Sequence, residues 1–103
     1  MSEWHPAIQA DAVAEGTPCP LLIGDTPIAL YRLGREVYAI SDRCTHEPEV
    51  RLSDGFVDGD VIECPMHQSC FSIRTGKVIG PPAREDVRAY PIRIEDGTVY
   101  VEL

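Results

Sequence analysis

The chain has no run of roughly 18 apolar residues, so no stretch of it is expected to span a membrane. Its opening, Met1-Ser2-Glu3-Trp4-His5-Pro6, lacks the basic and apolar regions of a secretory signal, which predicts a cytoplasmic location. Cations are scarce: nine Lys and Arg stand against seventeen Asp and Glu, a net charge of −8. That excludes nucleic acid as a partner, because such binding relies on cations neutralising phosphates. The acidic residues are scattered, so they suit solubility and steering toward a basic partner without marking a docking site. No G-x-G-x-x-G fingerprint exists, hence no sign of a bound nicotinamide or flavin. Repeats, low-complexity tracts and linkers are also missing, and 103 residues suffice for one domain, 1–103. Histidine is limited to His5, His46 and His67.

Turn formers are plentiful, with nine Pro and eight Gly. They punctuate short apolar runs and favour strands over helices. Residues 18–23 form one run, ending at Gly24-Asp25. Residues 27–33 and 36–40 flank Gly34-Arg35 as a tight hairpin. Residues 55–57 and 61–63 flank Asp58-Gly59-Asp60, and 71–73 and 77–79 flank Arg74-Thr75-Gly76. Residues 87–94 alternate, and Glu95-Asp96-Gly97 turns them into 98–103. Only residues 11–16 offer a helical turn. Strands of this length and spacing predict an all-β fold, an antiparallel sandwich or small barrel.

Two motifs fall at turns of that fold: Cys44-Thr45-His46 and Cys64-Pro65-Met66-His67. Two thiolates and two imidazoles can hold a [2Fe–2S] cluster, one iron on the two Cys and the other on the two His. Neutral imidazoles in place of two thiolates make the centre less negative and raise its potential, from about −400 mV in plant-type ferredoxins to roughly −150 to +300 mV. Structural zinc is the competing reading, since Cys₂His₂ is also a zinc set, although zinc fingers usually pair Cys with Cys and His with His. Disulfides among Cys19, Cys44, Cys64 and Cys70 fit poorly with a chain that is not secreted. Cys19 and Cys70 lie outside the motifs and are expected to act as small buried hydrophobes. His5 is expected to be a solvated or packing residue.

The ligand pattern resembles the Rieske family. The segments Leu52-Ser53-Asp54-Gly55, Gly59-Asp60, Glu63-Cys64-Pro65-Met66-His67-Gln68 and Phe71-Ser72-Ile73-Arg74-Thr75-Gly76-Lys77 are similar to the Rieske ferredoxins of bacterial aromatic-ring-hydroxylating dioxygenase systems. So are Gly80-Pro81-Pro82-Ala83, which stands where that family has its proline loop, and Tyr90-Pro91. The resemblance implies a cluster-binding subdomain of two loops, about residues 41–83, and one [2Fe–2S] cluster on Cys44, His46, Cys64 and His67. It implies a soluble, monomeric electron carrier, not itself an enzyme. The carrier would take single electrons from an NAD(P)H-dependent flavin reductase and pass them to a terminal Rieske oxygenase. The tip bearing His46 and His67, with Pro81 and Pro82 beside it, is the expected docking face for both partners.

Other Rieske types fit less well. Quinol-linked subunits carry an extra disulfide at positions matching Glu49 and Met66, and a sulfur-bonding Ser and Tyr matching Ser69 and Phe71. Here the first pair cannot bridge, and Phe71 has no hydroxyl. Ser69 replaces the Gly expected in the ferredoxins, either as a hydrogen-bond donor that raises the potential or as a plain turn residue. Glu47-Pro48 replaces an expected Gly after the first His. A Rieske oxygenase needs a further 2-His-1-carboxylate iron, and one histidine remains to build it. The alternative is a small Rieske subunit of a larger redox complex, of the nitrite or arsenite type.

Overall fold

The structure, a computed structural model, describes residues 3–66 and 68–103. Among the described residues eleven strands form three antiparallel sheets. They are β1 (Trp4–Gln9), β2 (Cys19–Ile23), β3 (Thr26–Leu33), β4 (Glu36–Ser41), β5 (Phe56–Asp58), β6 (Val61–Glu63), β7 (Cys70–Ser72), β8 (Val78–Gly80), β9 (Ala89–Tyr90), β10 (Ile92–Glu95) and β11 (Thr98–Glu102). The sheet orders are β1-β11-β10, β2-β3-β4-β9 and β5-β6-β7-β8. The all-β expectation therefore holds, and the three hairpins turn where glycine-bearing dipeptides and triplets placed them.

Strand β3 explains the layering. Side chains alternate across a strand, so successive residues reach opposite faces. Ile28 and Leu30 join Val37, Ala39, Val99 and Val101 in one core, against the β1-β11-β10 sheet. Ala29 and Tyr31 join Ile40, Ile62, Phe71 and Ile73 in a second core, against β5–β8. A strand buried on both faces must be apolar throughout, which is why residues 27–31 read as an unbroken run. Fully burying each such side chain contributes about 1.5–3 kcal/mol. Cys44 and Cys64 lie in the second core.

Three features differ from the sequence reading. The sequence pattern predicts no strand at β1. That strand contains Pro6, and it exists because it pairs with β11 at the far end of the chain, Trp4 opposite Glu102. The Arg93 guanidinium lies 4.6 Å from the Trp4 ring centre and 5.8 Å from that of Tyr100, which clasps β1 to its sheet. The expected alternating strand over 87–94 is split at Pro91, so that β9 pairs with β4 and β10 with β11. Proline has no N–H to give a ladder, and its fixed φ suits a change of sheet. The expected helical turn over 11–16 is a single 3-10 turn at Ala10–Ala12, and a second lies at Leu52–Asp54. Arg32 holds the first by donating to the carbonyls of Val13 and Ala10.

The Tyr31 hydroxyl is buried and has no hydrogen-bond partner among the described residues. Burial, and secondarily the Asp42 carboxylate, push its pKa well above the usual phenol range. A buried hydroxyl with no partner forfeits about 1–3 kcal/mol. Tyr31→Phe should therefore raise stability by about 1 kcal/mol, a melting shift of about 4–8 °C by calorimetry. A fall instead would show that buried solvent satisfies the hydroxyl.

Candidate metal centre

The first loop leaves β4 at Ser41 and is built as a narrow ladder. The Asp42 N–H donates to Pro27 O (3.1 Å), and its own carbonyl accepts from Leu52 N (3.0 Å). Arg43 bridges to Arg51, and Cys44 N donates to Val50 O (3.1 Å). These rungs deliver Cys44 inward and leave residues 45–49 as the tip. The buried Asp42 carboxylate clamps the base, accepting from Ser53 N (2.7 Å) and Ser53 Oγ (2.6 Å). Burial raises its pKa, and the two Ser53 bonds oppose that rise.

The second loop starts where β6 ends. Cys64 N donates to Ser69 O (2.7 Å) and closes the loop directly after Glu63. Met66 is 61% exposed at its tip. Gln68 sits at φ 64°, the left-handed region, which lets the chain turn back tightly. The proline loop is the third side. The Ser69 hydroxyl is buried and accepts from Ala83 N (2.9 Å). Thr45 Oγ1 donates to Glu85 O (2.6 Å), and the Asp86 carboxylate accepts from Val78 N (2.9 Å). One bond thus ties each ligand-bearing loop to the proline segment. The sequence left two roles open for Ser69; the structure gives its oxygen the role of pinning the proline loop.

Cys44 and Cys64 come together. Both are fully buried and neither is in a disulfide; Cys19 and Cys70 are free as well. Burial pushes the Cys44 thiol up, the N–H of Glu47 opposes that, the neighbouring Cys64 thiol adds to it, and the N–H of His46 opposes it again. Those N–H groups would stabilise a thiolate on Cys44 once a cation is bound. His46 stands two residues out from Cys44 and is exposed. His67, the fourth residue read from the motifs, lies outside the described residues. Among the described residues no three His, Cys, Asp or Glu side chains gather at one point, so the thiol pair is the part of the quartet that the structure joins. Two adjacent buried thiols, each delivered by its own loop, with the N–H groups of Glu47 and His46 at Cys44, fit a thiolate-bound iron.

Sequence reasoning missed the Asp42–Ser53 clamp and the Thr45 and Asp86 ties. Their signal was a short polar residue at each loop base, a pattern shared by ordinary turns. It also placed Cys70 wrongly. Cys19 packs against the first core, but Cys70 lies half-buried on the outer face of the β5–β8 sheet.

Comparison with known proteins agrees with this geometry. Residues 3–91 match the Rieske [2Fe-2S] domain. The anthranilate 1,2-dioxygenase ferredoxin subunit of Burkholderia cepacia is 44% identical over 103 residues, covering 100% of this chain and 94% of that one. The Sphingomonas yanoikuyae B1 ferredoxin superposes with a TM-score of 0.92 at 32% identity, covering 98% of this chain and 99% of that one. A chain from the complex of reduced oxygenase and oxidized ferredoxin in carbazole 1,9a-dioxygenase superposes with a TM-score of 0.87 at 36% identity, covering 95% of this chain and 91% of that one.

Proposed function

The chain belongs to the Rieske [2Fe-2S] family, and from that premise we propose that it is the ferredoxin of an aromatic-ring dioxygenase system, passing single electrons from an NAD(P)H-dependent flavin reductase to a terminal oxygenase. It is an electron carrier rather than a catalyst, and its cofactor is a Rieske-type [2Fe–2S] cluster. Cys44 and Cys64 would hold one iron, and His46 and His67 the other. The cluster-binding part would run over about residues 41–83. When bound, the cluster supplies a site that takes up and gives back one electron.

The residues around it do the rest. Burial of Cys44 and Cys64 keeps water from the sulfurs. The N–H groups of His46 and Glu47 offset negative charge there. Ser69 and Thr45 hold the proline loop against both ligand loops, so the site keeps one shape in either charge state. Exposed His46, Met66, Pro81 and Pro82 form a tip on which the oxygenase would dock. A carrier needs contacts that form and break quickly, which a small tip supplies. Among the described residues no helix is long and apolar enough to cross a membrane. Action in the cytoplasm belongs to the same proposal, since the proposed donor draws on NAD(P)H.

The single observation that carries this reading is the buried Cys44–Cys64 pair between two loops, in a chain aligned almost end to end with dioxygenase ferredoxins. Reconstitution tests it. Reductase, NAD(P)H, this protein and the oxygenase together should turn over an aromatic substrate, and omission of this protein should stop turnover. A protein that copurifies in a stable nitrite- or arsenite-type assembly and supports no ring oxidation would contradict it.

A further inference from the structure

Asp42 is a charged side chain that the fold buries: it is 2% exposed, at the base of the first ligand loop. Burying an ionised carboxylate is costly unless the protein replaces the lost water. Ser53 does so. Its N–H donates to one carboxylate oxygen at 2.7 Å and its hydroxyl to the other at 2.6 Å. With both oxygens accepting, the group has the acceptor-only pattern of an ionised carboxylate. Both donors are neutral, so they hold the charge in place without cancelling it.

The arginine that bears on this carboxylate does not cancel it either. Arg51 pairs with Asp54 at 3.2 Å, where both side chains are exposed. Arg51 and Asp54 therefore act on Asp42 in opposite senses. Arg43, next in the chain, is exposed. The Tyr31 hydroxyl, which faces the carboxylate from the core, is neutral. What remains is one fixed negative charge beside the metal centre. Burial alternates along the loop base, with Asp42 buried, Arg43 exposed and Cys44 buried, so Asp42 and Cys44 share the inward side. Two residues of chain span at most about 7 Å. The rungs from Asp42 N to Pro27 O and from Leu52 N to Asp42 O fix that spacing.

We propose that Asp42 sets the reduction potential of the centre: its buried charge, locked beside Cys44 by Ser53, holds the potential of the cluster down. The inference rests on the carrier reading above and deepens it. Reduction takes one electron from the reductase and adds one negative charge to the cluster, so a negative neighbour opposes it. The same charge makes the reduced carrier a stronger donor toward the oxygenase. The N–H groups of Glu47 and His46 act at Cys44 in the opposite sense, and Asp42 counters them. With an effective dielectric of about 20, a unit charge on the order of 10 Å away changes a one-electron equilibrium about ten-fold.

The test is an anaerobic redox titration of the holoprotein, followed by EPR at one pH and one ionic strength. Asp42→Asn keeps the shape and can still accept from Ser53 N, but it removes the charge. It should favour reduction about ten-fold or more, an upward shift of about 59 mV or more for one electron, with wild-type visible and EPR spectra. The shift should persist in high salt, because a buried charge is screened little. Ser53→Ala keeps the charge and removes one bond. It should lower the melting temperature without raising the potential. An unchanged or lower potential in Asp42→Asn, or an equal rise in Ser53→Ala, would overturn the proposal and leave Asp42 as a clamp alone. Should Asp42→Asn fail to load its cluster, Asp42→Ser supplies the neutral residue, and failure of both to load would overturn the proposal likewise. A wild-type holoprotein without a Rieske signal would instead remove the carrier reading itself.

Discussion

Gly55→Ala should lower the melting temperature by about 10–20 °C and leave the purified protein short of iron and sulfide. A Cβ at this position would lie 1.9 Å from the backbone oxygen of Glu63 and 3.1 Å from that of Leu52. The backbone there, at φ −90°, is open to any residue, so the whole effect is contact and not strain. Neither obstacle is a flexible side-chain end. One begins the 3-10 turn that rests on the Asp42–Ser53 clamp, and the other immediately precedes Cys64. Relief would have to move one ligand loop relative to the other. Forced overpacking of this kind costs about 2–4 kcal/mol, and a small domain loses roughly 4–8 °C for each of those. Calorimetry and metal analysis read both effects. Gly76→Ala should behave alike on stability, since φ is 77° there and the new Cβ would lie 2.2 Å from Val87 O. A Gly55→Ala protein with native melting temperature and full iron would contradict this account of how the loops are joined.

His46→Cys should either prevent cluster assembly or give a centre whose potential is lower by on the order of 100 mV or more. The direction follows from charge. A third thiolate in place of a neutral imidazole makes the site more negative by one and disfavours adding an electron. The position can take the substitution without disturbing the core, because His46 is exposed at the end of the first loop while Cys44 is buried below it. Redox titration of the variant measures the shift. A native potential with native electron transfer would remove His46 from the proposed ligand set.

Much of this was legible along the chain. Gly34-Arg35, Asp58-Gly59-Asp60 and Arg74-Thr75-Gly76 mark hairpin turns locally, and the structure turns at each of them. The Cys-x-His and Cys-x-x-His spacings name the loops, and the structure brings Cys44 and Cys64 together from them. What could not be read depends on distant partners. β1 exists through Glu102 and Val101, about a hundred residues away, and no local pattern in Trp4–Gln9 announces that pairing. Pro91 looked like one step in an alternation, yet it divides two strands because their partners, β4 and β11, lie in different sheets. The outward place of Cys70 follows from its register with Glu63, which composition does not reveal. The bond from Ala83 N to Ser69 Oγ joins residues 14 apart and leaves no local signal.

Anaerobic reduction of the purified holoprotein followed by EPR shows whether this chain carries one electron on a Rieske-type cluster. A Rieske signal should appear with one-electron reduction at roughly −150 mV. A colourless protein holding zinc without iron or sulfide, or an iron-loaded protein that shows no Rieske signal on reduction, would contradict it.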